Sequence, residues 1–187
     1  MSERRFLAAL PNLISLARLL DVPLAVWLIM SDRLGVAFWL FVVAGVSDAL
    51  DGFIAKHFRV QSVLGAYLDP LADKALLTSV YVTLGYQGQI VSWLVILVVF
   101  RDVLIIGGAI LYQTLTQSLK MQPLFVSKIN TTAQIALAAV VLAQSGLGVD
   151  YGITDVLVPV VAATTLASGG AYLAIWGWRV VRMEGLQ

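Results

Sequence analysis

The amino-acid sequence predicts an all-α integral membrane protein, a six-transmembrane-helix bundle forming one domain over residues 1–187, with a short N-terminal interfacial helix and both termini cytoplasmic. Three observations predict it. Of the 187 residues, 60% are hydrophobic and 12% charged, whereas a soluble domain is roughly half apolar and a quarter charged; the mean hydropathy is +0.91. Six apolar stretches each reach the roughly 20 helical residues that cross a bilayer. Basic residues gather in alternate connections between those stretches, as they do when these face the cytoplasm.

Residues 2–10 combine Arg4 and Arg5 with Phe6, Leu7 and Leu10, a pattern suited to a helix lying in the membrane interface. Helix 1 is expected over 12–30. Arg18 and Asp21 interrupt its apolar run and argue against a cleaved signal peptide. Helices 2 and 3 are expected over 34–56 and 62–86, and helices 4, 5 and 6 over 90–113, 125–147 and 154–178. The connections are short and rich in Gly, Gln, Ser and Asp, so nothing marks a linker or a second domain. Arg4, Arg5, Lys56, Arg59, Lys120, Arg179 and Arg182 fall on one side, against Arg33 with Asp32, Asp150 and Asp155 on the other. That asymmetry places both termini in the cytoplasm. Trp27, Trp39, Trp93, Trp176 and Trp178 lie toward helix ends, where aromatic side chains anchor at the interface. The absence of cysteine excludes disulfides and thiolate ligands, and a net charge of +1 implies no nucleic-acid partner.

Against this background four carboxylates stand out. Asp48, Asp51, Gly52 and Ala55 are spaced i, i+3, i+4 and i+7, one face of a helix; Gly65, Asp69 and Asp73 are spaced i, i+4 and i+8, again one face. If helices 2 and 3 turn back on each other near residue 60, Asp51 pairs in level with Asp69, and Asp48 with Asp73. The levels differ by about 5 Å of helix rise, close to the roughly 3.5 to 4 Å between the ions of a two-metal phosphoryl-transfer site. Ionised carboxylates are costly in hydrocarbon and normally face a partner. Four together call for a polycation, and an all-oxygen set without Cys or His suits a hard ion such as Mg²⁺. Gly52, Ala55 and Gly65 leave clearance for a bulky polar ligand above it. Two other readings compete: a structural ion-pair network with Lys74, Arg101 and Arg18, and a divalent-cation transporter, whose site would tend to sit at the midplane on broken helices of repeated halves.

The stretch Asp48-x2-Asp51-Gly52-x2-Ala55-Lys56-x8-Gly65-x3-Asp69-x3-Asp73 resembles the signature of the CDP-alcohol phosphatidyltransferases, D-x2-D-G-x2-A-R-x8-G-x3-D-x3-D. One position departs. Lys56 stands where that family usually has Arg, keeping the charge but losing the planar fork for a phosphate. Pro11-Asn12-x2-Ser15-x2-Arg18 resembles the family's P-N-x-x-T-x-x-R opening.

The resemblance implies a metal-dependent enzyme of phospholipid synthesis. Asp48, Asp51, Asp69 and Asp73 would hold two divalent cations, Mg²⁺ or Mn²⁺, on the diphosphate of CDP-diacylglycerol, with Asp73 also the catalytic base for the acceptor hydroxyl. Asn12, Arg18, Gly52, Ala55, Lys56 and Gly65 would bind the CDP-lipid, and Arg101 and Lys128 an anionic acceptor. Asp69-Pro-Leu-Ala-Asp-Lys74, Arg101-Asp-Val and Ser127-Lys-Ile-Asn-Thr131 are similar to CDP-diacylglycerol-dependent cardiolipin synthases, which implies phosphatidylglycerol as acceptor, with cardiolipin and CMP as products. The alternative is phosphatidylglycerophosphate synthesis from glycerol 3-phosphate. The same resemblance implies a homodimer in a bacterial inner membrane with its site toward the cytoplasm, the mitochondrial inner membrane being the other setting.

Overall fold

A computed structural model describes residues 2–58, 63–116, 124–149 and 152–184, with side chains over 16–48, 71–110, 114, 124–149 and 152–176. Among these, all regular structure is helical: α1 (Ser2–Met30), α2 (Leu34–Phe58), α3 (Val63–Tyr86), α4 (Ser92–Thr116), α5 (Phe125–Leu147) and α6 (Ile153–Glu184). The interfacial helix expected over 2–10 is not an element apart, because α1 runs unbroken through Pro11. Proline's fixed φ is compatible with a helix, and strong helix formers precede it. Helices 2, 4 and 6 also extend past their expected ends, since a helix continues beyond the apolar layer as long as its backbone bonds to itself. The turn expected near residue 60 lies outside the described residues.

Three described stretches are long and apolar enough to cross a membrane: Ser92–Ile110, Phe125–Leu147 and Ile153–Trp176. The apolar part of α2 described as such is the shorter Leu34–Asp48.

The distribution of side chains is the reverse of a soluble bundle. On α4, Ile96, Phe100, Val103, Ile106 and Ile110 are exposed along one face, while Leu94, Val98 and the charged Arg101 and Asp102 are buried. On α6, Val161, Thr165, Ser168 and Tyr172 form a buried stripe at i, i+4, i+7 and i+11, and Val156, Val160, Leu166 and Leu173 are exposed. Lipid is the solvent in which large apolar faces turned outward and polar groups turned inward are both favourable.

The contacts divide the chain into two compact units. The first holds α1 to α3 and the end of α5 from Ala138. Within it α1 packs on both α2 and α3, and Ile29, Val80, Tyr81 and Leu84 fill its interior. Gln87 Nε2 donates to the carbonyl of Ile29, and Ser145 to Gln89 Oε1 at 2.7 Å. Gly35, in the first turn of α2, meets Gly146 of α5 backbone to backbone: a Cβ on Gly35 would stand 3.0 Å from the Gly146 carbonyl oxygen, and one on Gly146 would collide with the main chain of Leu34 and Gly35. The second unit holds α4, α5 through Leu137, and α6. There α4 packs on α6, and the Trp176 ring occupies the space that a Cβ on Gly108 would need.

Gly146→Ala should therefore lower the midpoint of thermal unfolding in detergent by an amount equivalent to about 1–3 kcal/mol, the usual range for overpacking. Gly45→Ala, at a position where a Cβ meets nothing within 4 Å, is the control and should leave the midpoint unchanged or raised. Equal midpoints for both variants would show that the close approach of α2 and α5 does not matter to stability.

Candidate active site

In the first unit the organising side chain is Arg18 of α1. It is 3% exposed, and its Nη1 lies 2.7 Å from Asp48 Oδ1 of α2 and 2.5 Å from Asp73 Oδ1 of α3. Asp48 and Asp73, which the count from the turn puts at one level, thus reach a single nitrogen from two helices. Their side chains remain 43% and 42% exposed. The arginine is buried, and the two carboxylates keep partly exposed faces. Two hard-oxygen carboxylates already drawn to one cationic atom, with room on their outer sides, fit a divalent ion in both charge and donor type. Asp51, Gly52, Ala55 and Lys56 belong to α2, Gly65 and Asp69 to α3, and Asn12 to α1, but their side chains lie outside the described residues. Among the described residues no three His, Cys, Asp or Glu side chains form a metal-binding group.

Arg18 was expected on the nucleotide. It joins Asp48 and Asp73, a contact that the ion-pair reading also contains.

In the second unit Arg101 of α4 is 3% exposed. Its Nη1 donates to Asp102 Oδ1 at 2.7 Å, its Nη2 to Ser127 of α5 at 2.6 Å, and its Nε and Nη2 both to Ser168 of α6, at 3.2 and 2.5 Å. A guanidinium carries five N–H donors, so one, on Nη1, remains for anything else. Lys128, one residue beyond Ser127, is exposed. The two cations expected at an acceptor therefore differ: Lys128 is accessible, and Arg101 is held by protein oxygens.

One helical turn beyond Ser127, Asn130 joins α5 to α6. Its Oδ1 lies 3.0 Å from Thr164 Oγ1 and 2.9 Å from Thr165 Oγ1. Ser168, Thr165, Asn130 and Gln134 are all buried to 1% exposure or less. Reading the sequence for charges missed them. The available signal was periodic: Asn130 and Gln134 at i and i+4, and Thr165 and Ser168 at i and i+3, put polar groups on one face of otherwise apolar helices, where membrane helices use them to bond to one another.

A sequence model of the CDP-alcohol phosphatidyltransferases matches residues 8–175. The chain is 37% identical to the chloroplastic CDP-diacylglycerol–glycerol-3-phosphate 3-phosphatidyltransferase 1 of Oryza sativa, an alignment covering 91% of this chain and 57% of that protein. It is 35% identical to the cardiolipin synthase (CMP-forming) of Rattus norvegicus, over 87% of this chain and 60% of that one. A third relative is the CDP-diacylglycerol–glycerol-3-phosphate 3-phosphatidyltransferase of Cereibacter sphaeroides, 33% identical over 74% of this chain and 65% of that one. The chain spans about three fifths of the length of the first two.

Removing the charge in Arg18→Gln takes from Asp48 and Asp73 the cation they share. The unfolding midpoint should fall, by less than the roughly 3–5 kcal/mol of a fully buried broken pair because the carboxylates are partly solvated, and Arg18→Lys should retain part of the difference. Indistinguishable midpoints for wild type and Arg18→Gln would remove Arg18 as the organiser of this unit.

Proposed function

We propose, on the premise that the chain belongs to the CDP-alcohol phosphatidyltransferase family, that it transfers the phosphatidyl group of CDP-diacylglycerol to a hydroxyl of phosphatidylglycerol, giving cardiolipin and CMP. The observation that carries this reading is the meeting of Asp48 and Asp73 on Arg18, inside a motif whose spacing matches the family's throughout.

Asp48, Asp51, Asp69 and Asp73 would hold two divalent cations, Mg²⁺ or Mn²⁺, which when bound offset the charge of the diphosphate and of departing CMP. The rest is done by side chains. Arg18 fixes the direction of Asp48 and Asp73. Asn12, Lys56 and the small residues Gly52, Ala55 and Gly65 seat the cytidine and its phosphates. Asp73 takes the proton of the acceptor hydroxyl as that oxygen bonds to the phosphorus next to diacylglycerol; the bond from this phosphorus to the CMP oxygen breaks, and CMP leaves with the electron pair. Residues 1–187 act as one membrane domain of six spans with cytoplasmic termini, as a homodimer in a bacterial inner membrane with the site on the cytoplasmic side.

The choice of acceptor rests on charge. A phosphate monoester carries up to two negative charges and calls for several converging cations, whereas a phosphodiester carries one. With four N–H groups of Arg101 bonded within the protein, Lys128 is the accessible cation of the pair, which suits the diester. Glycerol 3-phosphate is the second reading, favoured by the names of the rice and Cereibacter relatives.

Asp73→Asn should lower the rate of CMP release about a hundredfold or more, the scale of a lost general base, while the protein still binds CDP-diacylglycerol. Loss of binding in equal measure would make Asp73 a ligand only. With phosphatidylglycerol and glycerol 3-phosphate supplied together, mass spectrometry should find cardiolipin. Phosphatidylglycerophosphate without cardiolipin would overturn the acceptor and leave the family reaction standing.

A further inference from the structure

The Arg101 cluster is built more elaborately than a simple anion contact requires. A buried guanidinium is stable only when its N–H groups are bonded, and here one neutral hydroxyl does the largest share. Ser168 is fully buried, and its Oγ receives the whole Nε–Nη2 edge of Arg101. That edge grip sets the plane of the guanidinium. With the plane set, the other hydrogen of Nη2 points to Ser127 Oγ and Nη1 to Asp102.

Ser127 lies in the first turn of α5, immediately before the exposed Lys128. This turn has a second tie to α6 through the Leu124 N–H, 3.4 Å from the Tyr172 hydroxyl, one turn along the stripe that carries Ser168. The chain of contacts therefore runs from α6 through Arg101 to the start of α5. Arg101 reaches an acceptor mainly through what it holds in place.

We propose that Ser168 is a positioning residue for the acceptor site: by gripping Arg101 along its Nε–Nη2 edge it fixes Ser127 and the first turn of α5, and so the place from which Lys128 meets the phosphate of an anionic acceptor. The proposal deepens, and rests on, the transferase reading given above.

Ser168→Cys tests it in the chain of residues 1–187 in nanodiscs. Cysteine nearly keeps the volume of serine but is a weak acceptor, so packing is spared and the grip is lost. The KM for phosphatidylglycerol should rise about tenfold, the equivalent of one hydrogen bond to a charged group, with the KM for CDP-diacylglycerol and kcat at saturating acceptor within about twofold of wild type. Independently of activity, peptides covering 124–128 should exchange their amide hydrogens faster in Ser168→Cys, with α2 and α3 unchanged. Wild-type exchange over 124–128, or a fall in kcat with both KM values rising together, would overturn the positioning role. Absence of CMP release from the wild-type protein with either acceptor would instead overturn the transferase reading, and the exchange comparison would still decide whether Ser168 holds the turn.

Discussion

A charge placed inside an apolar chain must meet its countercharge there, and most of what is distinctive in this protein follows from how that requirement is met. Arg18 meets it with two carboxylates from two other helices, so α1 is bound to both α2 and α3 by charge as well as by packing. Arg101 meets it with the adjacent Asp102 and then distributes its remaining donors to hydroxyls on α5 and α6. The two arginines are equally buried, but their surroundings differ in sign and openness. Around Arg18 the partly exposed groups are anionic; around Arg101 the partners are themselves buried or half-buried, and accessible positive charge falls to Lys128.

The helices were legible in the sequence because length and hydropathy alone nearly determine them, and α5 runs over the expected residues 125–147. Boundaries drifted where polar residues carry a helix beyond its apolar part, as in α6, which reaches Glu184 rather than 178. The expected interfacial stretch 2–10 and helix 1 form one helix, α1 running on through Pro11 although a proline in a helix interior removes one backbone hydrogen bond. Asp48, Asp73, Arg18 and Arg101 were visible because charge is rare in such a chain. The common level of Asp48 and Asp73 was legible too, but their meeting on one Arg18 nitrogen was not: Arg18 pairs over a separation of 55 residues with Asp73, and no local pattern encodes that distance.

Neutral polar residues were the blind spot. Ser127 stood in a stretch singled out for its lysine, yet the residue that shares Arg101 with it, Ser168, carries no charge and sits in a run of Ala, Thr, Leu and Gly. A serine in a helix usually satisfies itself by bonding to its own backbone, as Thr114, Thr131 and Thr132 do here. Only the three-dimensional approach of Arg101 distinguishes Ser168 from them. The same holds for Asn130 between Thr164 and Thr165, an amide whose bonds hold two helices together where lipid offers no competing water.

The contact between Gly108 and Trp176 bears on how this sequence can drift. Because the indole ring fills the space of any Cβ at position 108, a larger residue there obliges Trp176 to shift, and shrinking Trp176 first would leave a hole between α4 and α6. Neither change is neutral by itself, although a smaller ring with a larger residue opposite could fill the same volume. Positions 108 and 176 therefore behave as one heritable character. Across descendants of this chain they should vary jointly or stay fixed, whatever happens to the lipid-facing residues around them.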